Sequence, residues 1–198
     1  MGAQKSQFNR ILLTIFVILY VLTIIWFSYA NWNAAPAGFY QWWMVLLNIL
    51  ILSIPIISMY GSLYILAIAW REHSVGQVSA RLAKIIHWSP RVVTIIIIFF
   101  ITLFSLDVFE MDASLLELLG GFLLHNIPSI VLLILLLIAW KRPEVGFVGF
   151  LVAAVLITML FVRDIFALSN VILFVLPILL IACLFYADWK WQKTSAFV

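Results

Sequence analysis

The chain has 198 residues, 67% of them hydrophobic and 10% charged. A soluble domain is roughly half apolar and a quarter charged, so water cannot solvate this much apolar surface and a soluble globular fold is excluded. The formal charge of +3 is too small to point to nucleic acid, and the lone cysteine, Cys183, rules out an intrachain disulfide.

In lipid, every backbone donor and acceptor needs an internal partner, which leaves helices or a closed barrel. Barrel strands would show about ten residues of alternating polarity. The sequence instead has unbroken apolar runs of helix length for a hydrocarbon core of about 30 Å. The expected fold is all-α: one polytopic transmembrane domain over residues 1–198, with about six spans.

In chain order the spans are expected at about 11–27, 42–70, 92–106, 115–140, 145–162 and 170–189. The first follows Lys5 and Arg10 and ends near Ser28-Tyr29-Ala30, a signal-like pattern. Its length and the bulky Trp26 and Phe27 read as a retained anchor. Met1-Gly2 with Ser6 fits a myristoylation pattern too short to carry weight. Between spans two and three, Val75, Val78, Leu82 and Ile85 recur at helical spacing with Arg81 and Lys84 among them. An interfacial helix over about 75–88 is expected there, its basic side chains near anionic headgroups.

Orientation follows from the basic residues, which concentrate in cytoplasmic loops. With the N-terminus inside, Lys5, Arg10, Arg71, Arg81, Lys84, Arg91, Lys141, Arg142, Lys190 and Lys193 lie on the cytoplasmic side and only Arg163 lies outside. Both termini are then cytoplasmic. The tryptophans agree, because indole prefers the headgroup level. Trp26, Trp32, Trp42 and Trp43 mark the outer interface, and Trp70, Trp88, Trp140, Trp189 and Trp191 the inner one.

The even-numbered spans share a proline followed by an inner-end tryptophan: Pro55 and Trp70, Pro128 and Trp140, Pro177 and Trp189. Three helical hairpins are one reading of this pattern. The other is that any inner helix end needs an indole and a base, and that proline is common in membrane helices. Gly146, Gly149 and Ala153 put small residues on one part of span five, where helix backbones can approach closely.

An ionisable group inside a span is a functional hypothesis because its charge is costly to bury there. At about 1.5 Å per residue, Asp107 stands roughly 24 Å above Arg91, His125 roughly 23 Å above Trp140, and Arg163 with Asp164 roughly 25 Å above Gly146. With Asn126 they form a candidate polar cluster near the outer face. Asp107 orienting His125 would make a proton-responsive site. Alternatively, the groups satisfy one another and lock spans three, four and five. With Glu110 or Asp164 they also include metal-ligand types. His125 has no partner histidine on its face, however, so neither a metal nor another cofactor is assigned. Phosphate loops, zinc-protease motifs and nucleophile elbows are absent from the sequence.

Ser105-Leu106-Asp107-Val108-Phe109, His125-Asn126-Ile127-Pro128 and Ala139-Trp140-Lys141-Arg142-Pro143-Glu144-Val145-Gly146 together resemble a pattern in small uncharacterised prokaryotic multi-pass membrane proteins. That resemblance implies a bacterial or archaeal inner membrane and supplies no activity. Three readings therefore compete. The first is small-solute or proton transport. The second is a non-catalytic subunit or scaffold that binds another membrane protein or a second copy. The third is an intramembrane lipid-modifying enzyme, for which no catalytic motif speaks. The bilayer itself is the one partner common to all three.

Overall fold

The computed structural model describes residues 2–34, 39–74, 78–160 and 171–195. Regular structure among them is helical throughout: α1 (Gly2–Ala34), α2 (Phe39–Ser74), α3 (Ala80–Phe104), α4 (Leu115–His125), α5 (Ile127–Ala139), α6 (Pro143–Leu160) and α7 (Leu176–Ser195). A 3-10 turn over Ser105–Glu110 extends α3, and a π-helical turn over Val171–Val175 leads into α7.

Four segments are long and apolar enough to cross a bilayer alone: Gln7–Ala30, Trp42–Ser74, Ala80–Phe109 and Val171–Trp191. The expected fourth span is α4 and α5, bent by 46° where they meet. The expected fifth is the shorter apolar helix Pro143–Met159, and residues 161–170 after it lie outside the described residues. Hydroxyls within these helices fold back on the preceding turn. Thr23, Ser53, Ser58, Ser62, Thr102 and Thr158 each donate to the carbonyl four residues earlier. A serine or threonine can therefore sit in an apolar helix without an unmet donor.

The segment expected as a separate interfacial helix differs in the structure. From Ala80 it is the first part of α3, which starts at the Ser79 N-cap and continues through Pro90 to Phe104. Residues 75–77 lie outside the described residues. The reason is packing: Leu82 and Ile86 are buried against Ala69 of α2 and Ala187 of α7. Their apolar face is covered by protein, while Ile85 stays exposed.

At the centre of the bundle, α7 packs against α2, α3 and α6, whereas α1 packs chiefly on α2. The main core joins Phe100 of α3, Leu136 of α5, Phe150 of α6 and Phe185 of α7, with the Phe150 and Phe185 rings stacked at 5.4 Å. Of the expected hairpins, α1 packs on α2 and α6 on α7, whereas α3 meets α7 and α2 more extensively than α5. Their prolines occupy different places, however. Pro55 is inside α2, Pro128 is in the first turn of α5, and Pro177 follows the π-helical turn.

Gly146 sets how closely α6 meets its neighbours. A Cβ there would stand 2.7 Å from Ala139 Cβ and 2.8 Å from the Phe185 ring, whereas a Cβ on Gly61 meets nothing within 4 Å. Gly146→Val is therefore expected to lose about 1–3 kcal/mol through overpacking. Gly61→Ala is expected to leave stability unchanged or raise it by up to about 1 kcal/mol. Thermal unfolding of both variants in detergent checks this, and equal shifts would contradict the close contact.

Candidate functional site

The outer cluster is distributed as follows. Asp107 lies in the 3-10 turn and His125 ends α4, both with exposed side chains. His125 Nδ1 is 3.0 Å from the Gly121 carbonyl. Asn126 is buried at the bend, where its Nδ2 donates to the Phe122 carbonyl at 2.9 Å. The Asn126 backbone N–H reaches the same carbonyl at 3.1 Å. Pro128 has no N–H to continue the helical ladder at this point, so Asn126 stitches the bend from the α4 side. Three residues on, the Thr102 and Ser129 hydroxyls lie 3.2 Å apart and tie α3 to α5. No hydrogen bond or ion pair joins Asp107 to His125 among the described residues. Arg163 and Asp164 lie outside those residues, as do Asn170 and the Glu110 side chain. The described residues hold no group of three or more potential metal ligands.

At the opposite end, charges read as cytoplasmic from the sequence turn inward. Arg91 of α3 and Asp188 of α7 are each 1% exposed at the side chain, with Nη1 donating to Oδ2 at 2.8 Å. The second carboxylate oxygen meets His87 Nδ1 at 3.1 Å. Arg91 Nη1 also donates to the His87 carbonyl, and Nη2 donates to the Trp140 carbonyl at 3.1 Å. That carbonyl is one of the acceptors left unpaired at the C-terminal end of α5, where the helix dipole favours a cation. The rings of Trp140 and Phe185 stand 5.8 Å from the guanidinium carbon, within cation–π range. The cluster thus joins α3, α5 and α7 in one polar knot. A signal for it existed in the sequence: Asp188 shares a helical face with the large apolar residues Ile181, Leu184 and Phe185.

On the exposed face of α7, displaying Cys183, Tyr186 and Lys190, lies a groove of about 780 Å³ between α2 and α6. Its volume is within the range of about 300–1,000 Å³ usual for small-molecule sites. The lining changes along its length. Leu66 and Cys183 form an apolar end; Trp70, Tyr186 and Phe147 form the middle; His73, Lys190 and Trp191 form a polar end. Phe147 and Tyr186 pack at 5.1 Å, and His73 lies 5.5 Å from the Trp191 ring. Sequence reasoning missed this groove, because its residues come from three helices and each passes singly for an ordinary lipid-facing or interface position.

Removing one partner of a buried ion pair strands the other charge, at a cost of about 3–5 kcal/mol. Arg91→Met and Asp188→Leu are each expected to lower the melting temperature in detergent sharply. The double replacement is expected to recover most of the loss, because it leaves no unpaired charge. An additive double variant would show that the two groups are not coupled.

A family model described as a domain of unknown function, DUF7670, matches residues 79–196. No curated protein and no solved structure matches the chain. The match starts at the Ser79 N-cap of α3 and takes in the polar knot, the outer bend and the α7 floor of the groove. It spans more than half of the 198 residues, and the chain belongs to the DUF7670 family of domains of unknown function.

Proposed function

We propose that the chain is a multi-pass integral membrane protein of a bacterial or archaeal inner membrane, with both termini cytoplasmic, that holds an amphiphilic molecule of the inner leaflet in the groove between α2, α6 and α7. The observation that carries this reading is the polarity gradient along the groove, from Leu66 and Cys183 to His73 and Lys190. Each end of that run is seven residues from the other along its helix, so the change from apolar to polar takes about 10 Å. That is the scale over which a bilayer changes from hydrocarbon to headgroup, and tryptophans such as Trp70 and Trp191 favour the boundary between the two.

A membrane setting is supported by surface chemistry. Large apolar side chains are exposed along α1, including Ile11, Leu22 and Ile25, and α4 buries none of its residues. Such a surface is stable only against lipid or other apolar matter. A solute or proton path along the α3–α5 interface would have to cross Ile97, Ile101, Leu132 and Leu136, all at most 8% exposed. Binding fits the described interior better than conduction.

Reporter fusions after Lys193 are expected to behave as cytoplasmic, and fusions between Asp107 and Ser114 as external; the reverse pattern would overturn the orientation. For the groove, native mass spectrometry after mild detergent extraction should find a retained amphiphile on the wild-type chain. Cys183→Trp, which fills the groove from an exposed position, should lose that species. Retention by both would remove the groove as the binding place.

A further inference from the structure

We infer that the occupant of the groove is an anionic phospholipid, its phosphate held at the Lys190 and His73 end and its upper chains lying along Leu66 and Cys183. This inference rests on the groove reading above and adds the identity of the headgroup. Three observations lead to it.

The first is the fate of nearby carboxylates. Glu72 and Asp188 flank the polar end in sequence. Both are turned away. Glu72 is buried and accepts the Ser79 N–H at 3.0 Å, and Asp188 is committed to Arg91 and His87. Among the described residues, the polar end of the groove is lined by a base and an imidazole, with no acid.

The second is that Lys190 is placed rather than splayed. Its Nζ lies 5.0 Å from the Trp189 ring and 5.8 Å from the Tyr186 ring. Aromatic faces attract an ammonium within about 6 Å, so the charge is held between Trp189 and Tyr186, of which Tyr186 lines the groove. A basic residue beside a cytoplasmic-side groove is the arrangement that binds anionic headgroups.

The third is length. A partner helix crossing the bilayer would need a seam approaching 30 Å. The lining residues cover about 10 Å on α2 and α7, which suits a headgroup and the upper part of acyl chains.

The test is native mass spectrometry of the full chain in detergent with equal amounts of phosphatidylglycerol and phosphatidylcholine carrying the same acyl chains. The wild-type chain should prefer phosphatidylglycerol. Lys190→Gln should reduce that preference about five-fold, the effect of roughly one basic residue near an anionic surface. Lys84→Gln, an exposed base that does not line the groove, should leave the preference intact, and Lys190→Arg should keep most of it. Equal binding of the two lipids, both lost in Cys183→Trp, would overturn the anionic headgroup and leave the groove standing. Binding that ignores Cys183→Trp would overturn both readings. Equal losses in Lys190→Gln and Lys84→Gln would reduce the effect to general charge attraction and reject the site.

Discussion

A guanidinium and a carboxylate at the Trp140 end of the bundle, each 1% exposed, must neutralise each other. Arg91 and Asp188 are 97 residues apart in the chain. Their meeting requires α3 and α7 to stand side by side with the α5 terminus close enough to lend its last carbonyl. Taking two charges out of water costs several kcal/mol per ion, and their attraction offsets this only with good geometry and further hydrogen bonds. The Trp140 and His87 carbonyls and the His87 ring supply those bonds. Such a pair adds little net stability over apolar residues of the same shape, but it penalises any arrangement that separates its members. It therefore selects the register in which α7 becomes the central helix.

That register also produces the groove. Once Asp188 points inward, the opposite face of α7 carries Cys183, Tyr186 and Lys190 outward, between α2 and α6. The same rotation that seals the acid exposes the base. Continuity of α3 contributes too. Because Leu82 and Ile86 dock on α2 and α7, the Ser79 N-cap lies beside the end of α2, where its N–H engages Glu72. This end thus has Glu72 and Asp188 turned into the fold and Lys190 exposed. The outer end has a different logic. There the 46° bend is carried by Asn126 and Pro128, and α4 leans on the 3-10 turn through Phe122 and Phe109 with ring centres 5.4 Å apart.

Much of the architecture was legible from composition and periodicity. Apolar runs of span length required helices, since in hydrocarbon a backbone must satisfy itself. The close approach of α6 was foreshadowed by Gly146, and Pro128 stands beside the break in the fourth span. The candidate site was far less legible. Depth along a helix can be counted from sequence, and on that measure Asp107 and His125 matched; direction around the helix and the distance to the next helix cannot be counted. In the structure the two side chains are exposed without a mutual bond, while Asn126 alone of the described group is buried.

Arg91 and Asp188 make the same point from the other side. By position they were expected at the cytoplasmic ends of their spans, and an excess of basic residues is a statistical pattern that does not say which of them turns inward. What the amino-acid sequence determined by itself is the class of fold, the approximate places of the helices and the asymmetry of charge, because each depends on local composition and on the self-sufficiency of a helical backbone. Only the tertiary structure decided which charged groups are buried together, which helix is central and where a groove opens. Those properties depend on the rotation and spacing of helices that are distant in the chain, and no residue carries that information alone.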